Sequence, residues 1–133
     1  MRFHTRKWIK PNDLNPNSSL FGGRLLEWID EEAALYSTIQ TENHRMVTKY
    51  ISEIEFVSSA VQGDIVEIGM DVVKFGKSSI TLTCEVRNKM TRKTIIKIGK
   101  IVMVGLDENG KPKPHGKTKI EFVKYRLNNN KGN

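Results

Sequence analysis

The chain has 133 residues, 38% of them hydrophobic, with 22 Lys plus Arg against 15 Asp plus Glu, for a formal charge of +7. That length suits one domain with a real apolar core, which excludes a disordered tail and a disulfide-stapled miniprotein. The single cysteine, Cys84, has no partner for an intrachain disulfide, which fits a reducing compartment.

Residues 1–10 mix charges with isolated hydrophobes and form no secretory h-region, and no apolar window reaches the length of a bilayer span. The expectation is a soluble, cytoplasmic protein with no membrane partner. Surplus Lys and Arg attract polyanions, whether nucleic acid, anionic lipid or the phosphates of a cofactor, and charge alone does not choose. Part of the surplus lies near the C-terminus, in Lys111, Lys113, Lys117, Lys119, Lys124, Arg126 and Lys131.

Residues 2–9 alternate loosely and predict a first strand. Pro11 to Ser19 is a run of turn formers and reads as a loop. Gly22-Gly23 opens a helix over about 22–39, because Leu25, Leu26, Ile29, Ala33 and Tyr36 recur at helical spacing.

From Met46 the texture becomes β-branched with period two, predicting strands over 46–57, 64–74, 78–88 and 93–106, with turns at Gln62-Gly63, Phe75-Gly76-Lys77, Lys89–Arg92 and Asp107–Gly110. One long helix ahead of hairpin-connected strands means α+β with an antiparallel sheet. Strands this long must curve, and a curved sheet can wrap a helix.

His4, His44 and His115 are scattered, with no metal-ligand spacing to one another or to Cys84, so no metal site is expected and each reads as a surface or satisfied structural histidine. Cys84 alternates with Leu82 and Val86 and reads as a buried, inert thiol. Gly22-Gly23 matches no nucleotide-binding fingerprint. The pair fits two readings: a turn that only glycine makes easily, or close backbone approach at a helix start, where unpaired amides can hold an oxyanion.

Asp30 stands out, because Leu26 lies one turn before it and Ala33 and Ala34 one turn after. Its carboxylate is expected on an apolar flank of a buried helix, as a functional or a hydrogen-bonded structural acid. Glu27, Glu31 and Glu32 read as the helix's solvated edge. The turn Phe75-Gly76-Lys77-Ser78-Ser79 offers one cation and two hydroxyls, a composition that suits phosphate.

The stretch Asp13 to Ala34, with its Asn-rich loop, aromatic-Gly-Gly and helical acid, resembles the hotdog-fold acyl-CoA thioesterases of the bacterial and cytosolic acyl-CoA hydrolase branch. The resemblance continues through Val47-Thr48, Ile54–Phe56, Gly63–Val66, Gly76–Ser79 and Asp107–Pro112. It implies a hotdog domain over 1–117, a long central helix wrapped by a curved antiparallel sheet, with residues 118–133 as a basic polar tail that matches nothing in the family.

The resemblance further implies active sites at the interface of a dimer, assembled into a trimer of dimers, with acyl-CoA as substrate. Asp30 matches the catalytic acid, acting as general base or as nucleophile. Amides near Gly22 and Gly23 would hold the oxyanion. Asn17 and Ser19 border the site, and Thr48 matches a position approaching the acid from the partner subunit. Gly76, Lys77, Ser78 and Ser79 match the CoA-binding turn, and no cofactor beyond CoA is implied.

Two alternatives stand beside hydrolysis. Hydration or dehydration of acyl thioesters on this fold relies on a His paired with an acid, and no His lies in the helix or its preceding loop. A basic nucleic-acid-binding module needs aromatics interleaved with cations on one face. Trp8, Tyr50, Phe56 and Phe75 are dispersed, so no specific nucleic-acid partner is expected.

Overall fold

A computed structural model of the chain describes residues 1–120. Six antiparallel strands, β1 (Arg2–Trp8), β2 (Met46–Ile51), β3 (Ile54–Phe56), β4 (Ile65–Phe75), β5 (Ser79–Asn88) and β6 (Thr94–Gly105), form one sheet around a single long helix, α1 (Gly22–Thr41). The sheet order is β1-β4-β5-β6-β2, with β3 also on β6. β2 and β3 therefore form one edge and β1 the other, and bulges in four of the five strand pairs let the long strands curve. The basic tail expected from residue 118 lies, beyond Ile120, outside the described residues.

The expected strand over 46–57 is two strands. At the break, the amide of Ser52 donates to the carbonyl of Lys100 at 2.9 Å, but the Lys100 amide donates to Ser52 Oγ, also at 2.9 Å. A side chain has replaced a backbone acceptor, and the ladder is interrupted there without loss of register: Ile51 faces Ile101 and Ile54 faces Ile98.

The helix rests on the sheet through an i, i+4 row, Leu25, Ile29, Ala33, Ser37 and Thr41, all buried. These meet the inward residues of the sheet, Val66, Ile68 and Met70 on β4, Ile80, Leu82, Cys84 and Val86 on β5, and Ile96, Ile98, Ile101 and Met103 on β6. Burial pushes the Cys84 thiol up to about 12, so the thiolate is scarce at neutral pH and the residue is inert, as its alternation predicts.

A second row faces β1. Trp28 lies under Lys7 Nζ at 5.8 Å, Thr5 Oγ1 donates to Glu32 Oε1 at 2.7 Å, and Tyr36 stacks on His4 at 6.2 Å. Glu32 is only 6% exposed, so it is no solvated edge residue. Burial raises its carboxyl above the usual range, against the lowering effects of Thr5, His4 and Lys7.

A raised folded-state value means that the native protein holds this proton more tightly than the unfolded chain. The group's contribution to stability is full below the unfolded value and lost as pH rises through the folded one. Glu32→Gln keeps an acceptor for Thr5 and removes the charge. Its denaturation midpoint relative to the parent should therefore shift in the variant's favour between pH 4 and pH 7, and an unchanged difference would contradict this.

Candidate active site

The loop before the helix is pinned by Asp13, 4% exposed. Asp13 Oδ2 accepts the amide of Lys10 at 2.8 Å, Oδ1 lies 3.4 Å from Arg24 Nε, and the carbonyl accepts the amide of Phe21 at 2.9 Å. Residues on both sides of the helix start are thus tied to one buried carboxylate, which fixes where Gly22 and Gly23 sit.

Phe21 occupies the N-cap and gives no side-chain hydrogen bond, and the amide of Leu25 is the first bonded within the helix, to the Phe21 carbonyl at 3.1 Å. The amides of Gly22, Gly23 and Arg24 have no acceptor among the described residues and are open donors. A Cβ on Gly23 would sit 2.8 Å from the Phe21 ring, and one on Gly22 would sit 3.5 Å from Phe56. Close approach of aromatic rings is what glycine permits here.

Asp30 is exposed in the single chain, contrary to the expected burial. The flank is apolar as expected, with Leu26 and Ala34 both packed on the core. The cover is missing because this row of the helix faces β2, and β2 ends the sheet. Thr48 on β2 donates through Oγ1 to Asp30 Oδ1 at 2.5 Å. Where the resemblance implied an approach from the partner subunit, the structure has Thr48 and Asp30 meeting within one chain, and Oδ2 has no hydrogen-bond partner among the described residues.

The other expected site residues lie apart from this pair. Asn17 is exposed and its amide donates to Asn15 Oδ1 at 2.9 Å. Asn15 Oδ1 also accepts the amide of Ser19 at 3.2 Å, so Asn15, not singled out from sequence, shapes the loop. Its signal was the Asn-Pro-Asn-Ser-Ser run, where an Asx turn is a natural outcome.

Gly76, Lys77, Ser78 and Ser79 form the β4–β5 turn, closed by the Gly76 amide on the Ser79 carbonyl at 2.9 Å. A Cβ on Gly76 would meet Ser79 Oγ, so a larger residue there would need the Ser79 hydroxyl to rotate away. A cavity of about 770 Å³ opens elsewhere, among Tyr50, Ser52, Glu85 and Lys97, and does not include Asp30. Among the described residues there is no cluster of potential metal ligands, and no helix is long and apolar enough to cross a membrane.

Beside the Asp30–Thr48 pair, the open edge of β2 exposes Val47 (41%) and Tyr50 (55%) with Lys49 between them, and on β3 Phe56 (58%), next to Gly22, is exposed beside Glu55. Exposed apolar side chains along an unpaired edge make a pairing surface, which Lys49 and Glu55 blunt only in part.

Comparison with known proteins gives the family. The profile of the thioesterase superfamily matches residues 17–95. The acyl-CoA thioester hydrolase YciA of Salmonella typhimurium is 30% identical over 115 residues, 82% of this chain and 86% of that one. An uncharacterized acyl-CoA thioester hydrolase of Buchnera aphidicola is 30% identical over 76 residues, 57% of this chain and 56% of that one, so there the chain spans little more than half of its relative. The crystal structure of a hexameric thioesterase from Yersinia pestis superposes with a TM-score of 0.79 at 27% identity, covering 87% of this chain and 96% of that one. With its helix held in a curved antiparallel sheet and its profile match over more than half its length, this chain belongs to the thioesterase superfamily and has the hotdog fold.

Proposed function

We propose that the chain hydrolyses acyl-CoA to a carboxylic acid and CoA, at a site where Asp30 and Thr48 of one subunit face the helix start of a second. The hydrogen bond from Thr48 to Asp30 at an uncovered seam carries this reading. It orients the carboxylate and leaves Oδ2 to take a proton from water. The water oxygen bonds to the thioester carbonyl carbon, the oxyanion is met by backbone amides, and collapse expels the CoA thiolate, which recovers the proton from Asp30. Direct attack by Asp30, giving an anhydride that water then opens, uses the same geometry.

Helix geometry favours donors from a second copy. Seven residues separate Gly23 from Asp30, a rise of about 10 Å. A tetrahedral centre must lie within about 3 Å of both the base and the oxyanion donors. Even with the side chain leaning toward the N-terminus, one chain's own amides are far from its own carboxylate. Pairing of β2 edges would bury Val47 and Tyr50 and bring a second Gly22-Gly23, with Asn17 and Ser19, toward Asp30. A dimer, further assembled as a trimer of dimers, is the arrangement proposed. A cytoplasmic setting accords with a lone buried thiol and a CoA ester substrate.

The test is free-thiol release from acyl-CoAs of increasing chain length, beside a nucleic-acid shift assay at physiological salt. Turnover with the first and only weak, salt-sensitive shifts with the second are expected; saturable sequence-specific binding without thiol release would favour the nucleic-acid reading instead.

A further inference from the structure

After β6 the chain turns at Asp107–Gly110 and comes back over the β4–β5 turn, with the Lys113 amide on the Gly105 carbonyl at 2.8 Å. His115 is the centre of this strap. Its amide donates to the Lys77 carbonyl at 3.1 Å. Its Nδ1 accepts the amide of Lys117 at 2.9 Å, which places the ring proton on Nε2, donating to the Ser79 carbonyl at 2.9 Å. The ring also meets Phe75 edge-on, with centroids 5.9 Å apart.

With the Gly105 amide on the Ser78 carbonyl at 3.0 Å, the carbonyls of residues 77, 78 and 79 are all engaged. The amides of Lys77 and Ser78 have no acceptor among the described residues, and Lys77 is exposed. Drawing the carbonyl oxygens inward removes the negative ends of the turn's dipoles from its outer side and leaves amides and a cation there, which is what a phosphate needs.

The geometry points to His115 as a positioning residue that holds the β4–β5 turn in its phosphate-facing form for acyl-CoA, through the neutral ring tautomer. The inference rests on the proposed acyl-CoA hydrolysis. The charged groups on the surrounding elements are Lys74 at the end of β4, Lys77 on the turn, Lys113 and Lys117 on the strap, and Glu42 after α1, whose Oε2 lies 3.2 Å from Lys117 Nζ.

Steady-state kinetics of the full chain, His115→Ala, His115→Gln and Lys77→Ala with an acyl-CoA and with the acyl N-acetylcysteamine thioester, which has no phosphates, test this. His115→Ala should raise KM for acyl-CoA about tenfold, with kcat within about twofold and the phosphate-free substrate unaffected. His115→Gln keeps a donor for the Ser79 carbonyl and should hold KM for acyl-CoA near the parent value, the rescue that a merely bulky or structural histidine would not give. If Lys77→Ala raises KM for acyl-CoA but His115→Ala does not, His115 has no such role while the hydrolase reading stands. If the parent releases no thiol from acyl-CoA, that reading fails and this inference with it.

Discussion

Replacing Asp30 by alanine is expected to lower kcat for acyl-CoA about 10³-fold or more, the range lost when a general base is removed. The fold should be untouched, since the side chain is exposed and its one hydrogen bond among the described residues is to Thr48 on the neighbouring strand. Exposed substitutions of this kind change stability by less than about 0.5 kcal/mol. Thiol release and a thermal melt, measured on the same preparation, check both halves. Full activity with Ala in place would remove Asp30 from the mechanism, and loss of the melt would make it structural. A single turnover of the parent in ¹⁸O-water then tests the anhydride route, because unlabelled product acid with ¹⁸O left on Asp30 arises only from an anhydride opened at the Asp30 carbonyl.

The second large effect concerns the uncovered edge. Val47 is paired on one side only, with Val104 of β6, and is 41% exposed. Val47→Asp should leave the subunit folded but place a charge where a second strand would lie, a burial that costs several kcal/mol if unpaired. Sedimentation should show smaller species, and activity should fall about a hundredfold or more at low protein concentration, recovering in part as concentration rises. A monomer with parental activity would mean that one chain completes its own site, against the separation between Gly23 and Asp30.

The hairpin sheet, the central helix and the inward alternation of β5 were legible because each depends on local periodicity. Helical spacing alone set Leu25, Ile29 and Ala33 on one stripe, and period two set Leu82, Cys84 and Val86 on another. The break between β2 and β3 was not legible, since it arises when Ser52 Oγ captures an amide from residue 100, distant in the chain. Neither was the burial of Glu32, which depends on β1 folding back over the second helical row.

Asp30 shows the division most clearly. The sequence by itself determined that an acid sits on an apolar flank two turns from a Gly-Gly helix start, because helical rise and rotation follow from backbone geometry. Only the tertiary structure decided that β2, beside it, is the last strand, so that the flank is open and Thr48 of the same chain holds the carboxylate. Strand order and edges come from pairings between distant segments, and no local pattern encodes which strand is left without a neighbour. His115 follows the same logic: an isolated histidine by spacing, its Nδ1 is met locally by the Lys117 amide, but Nε2 gains the Ser79 carbonyl only because the strap returns across a turn formed 36 residues earlier.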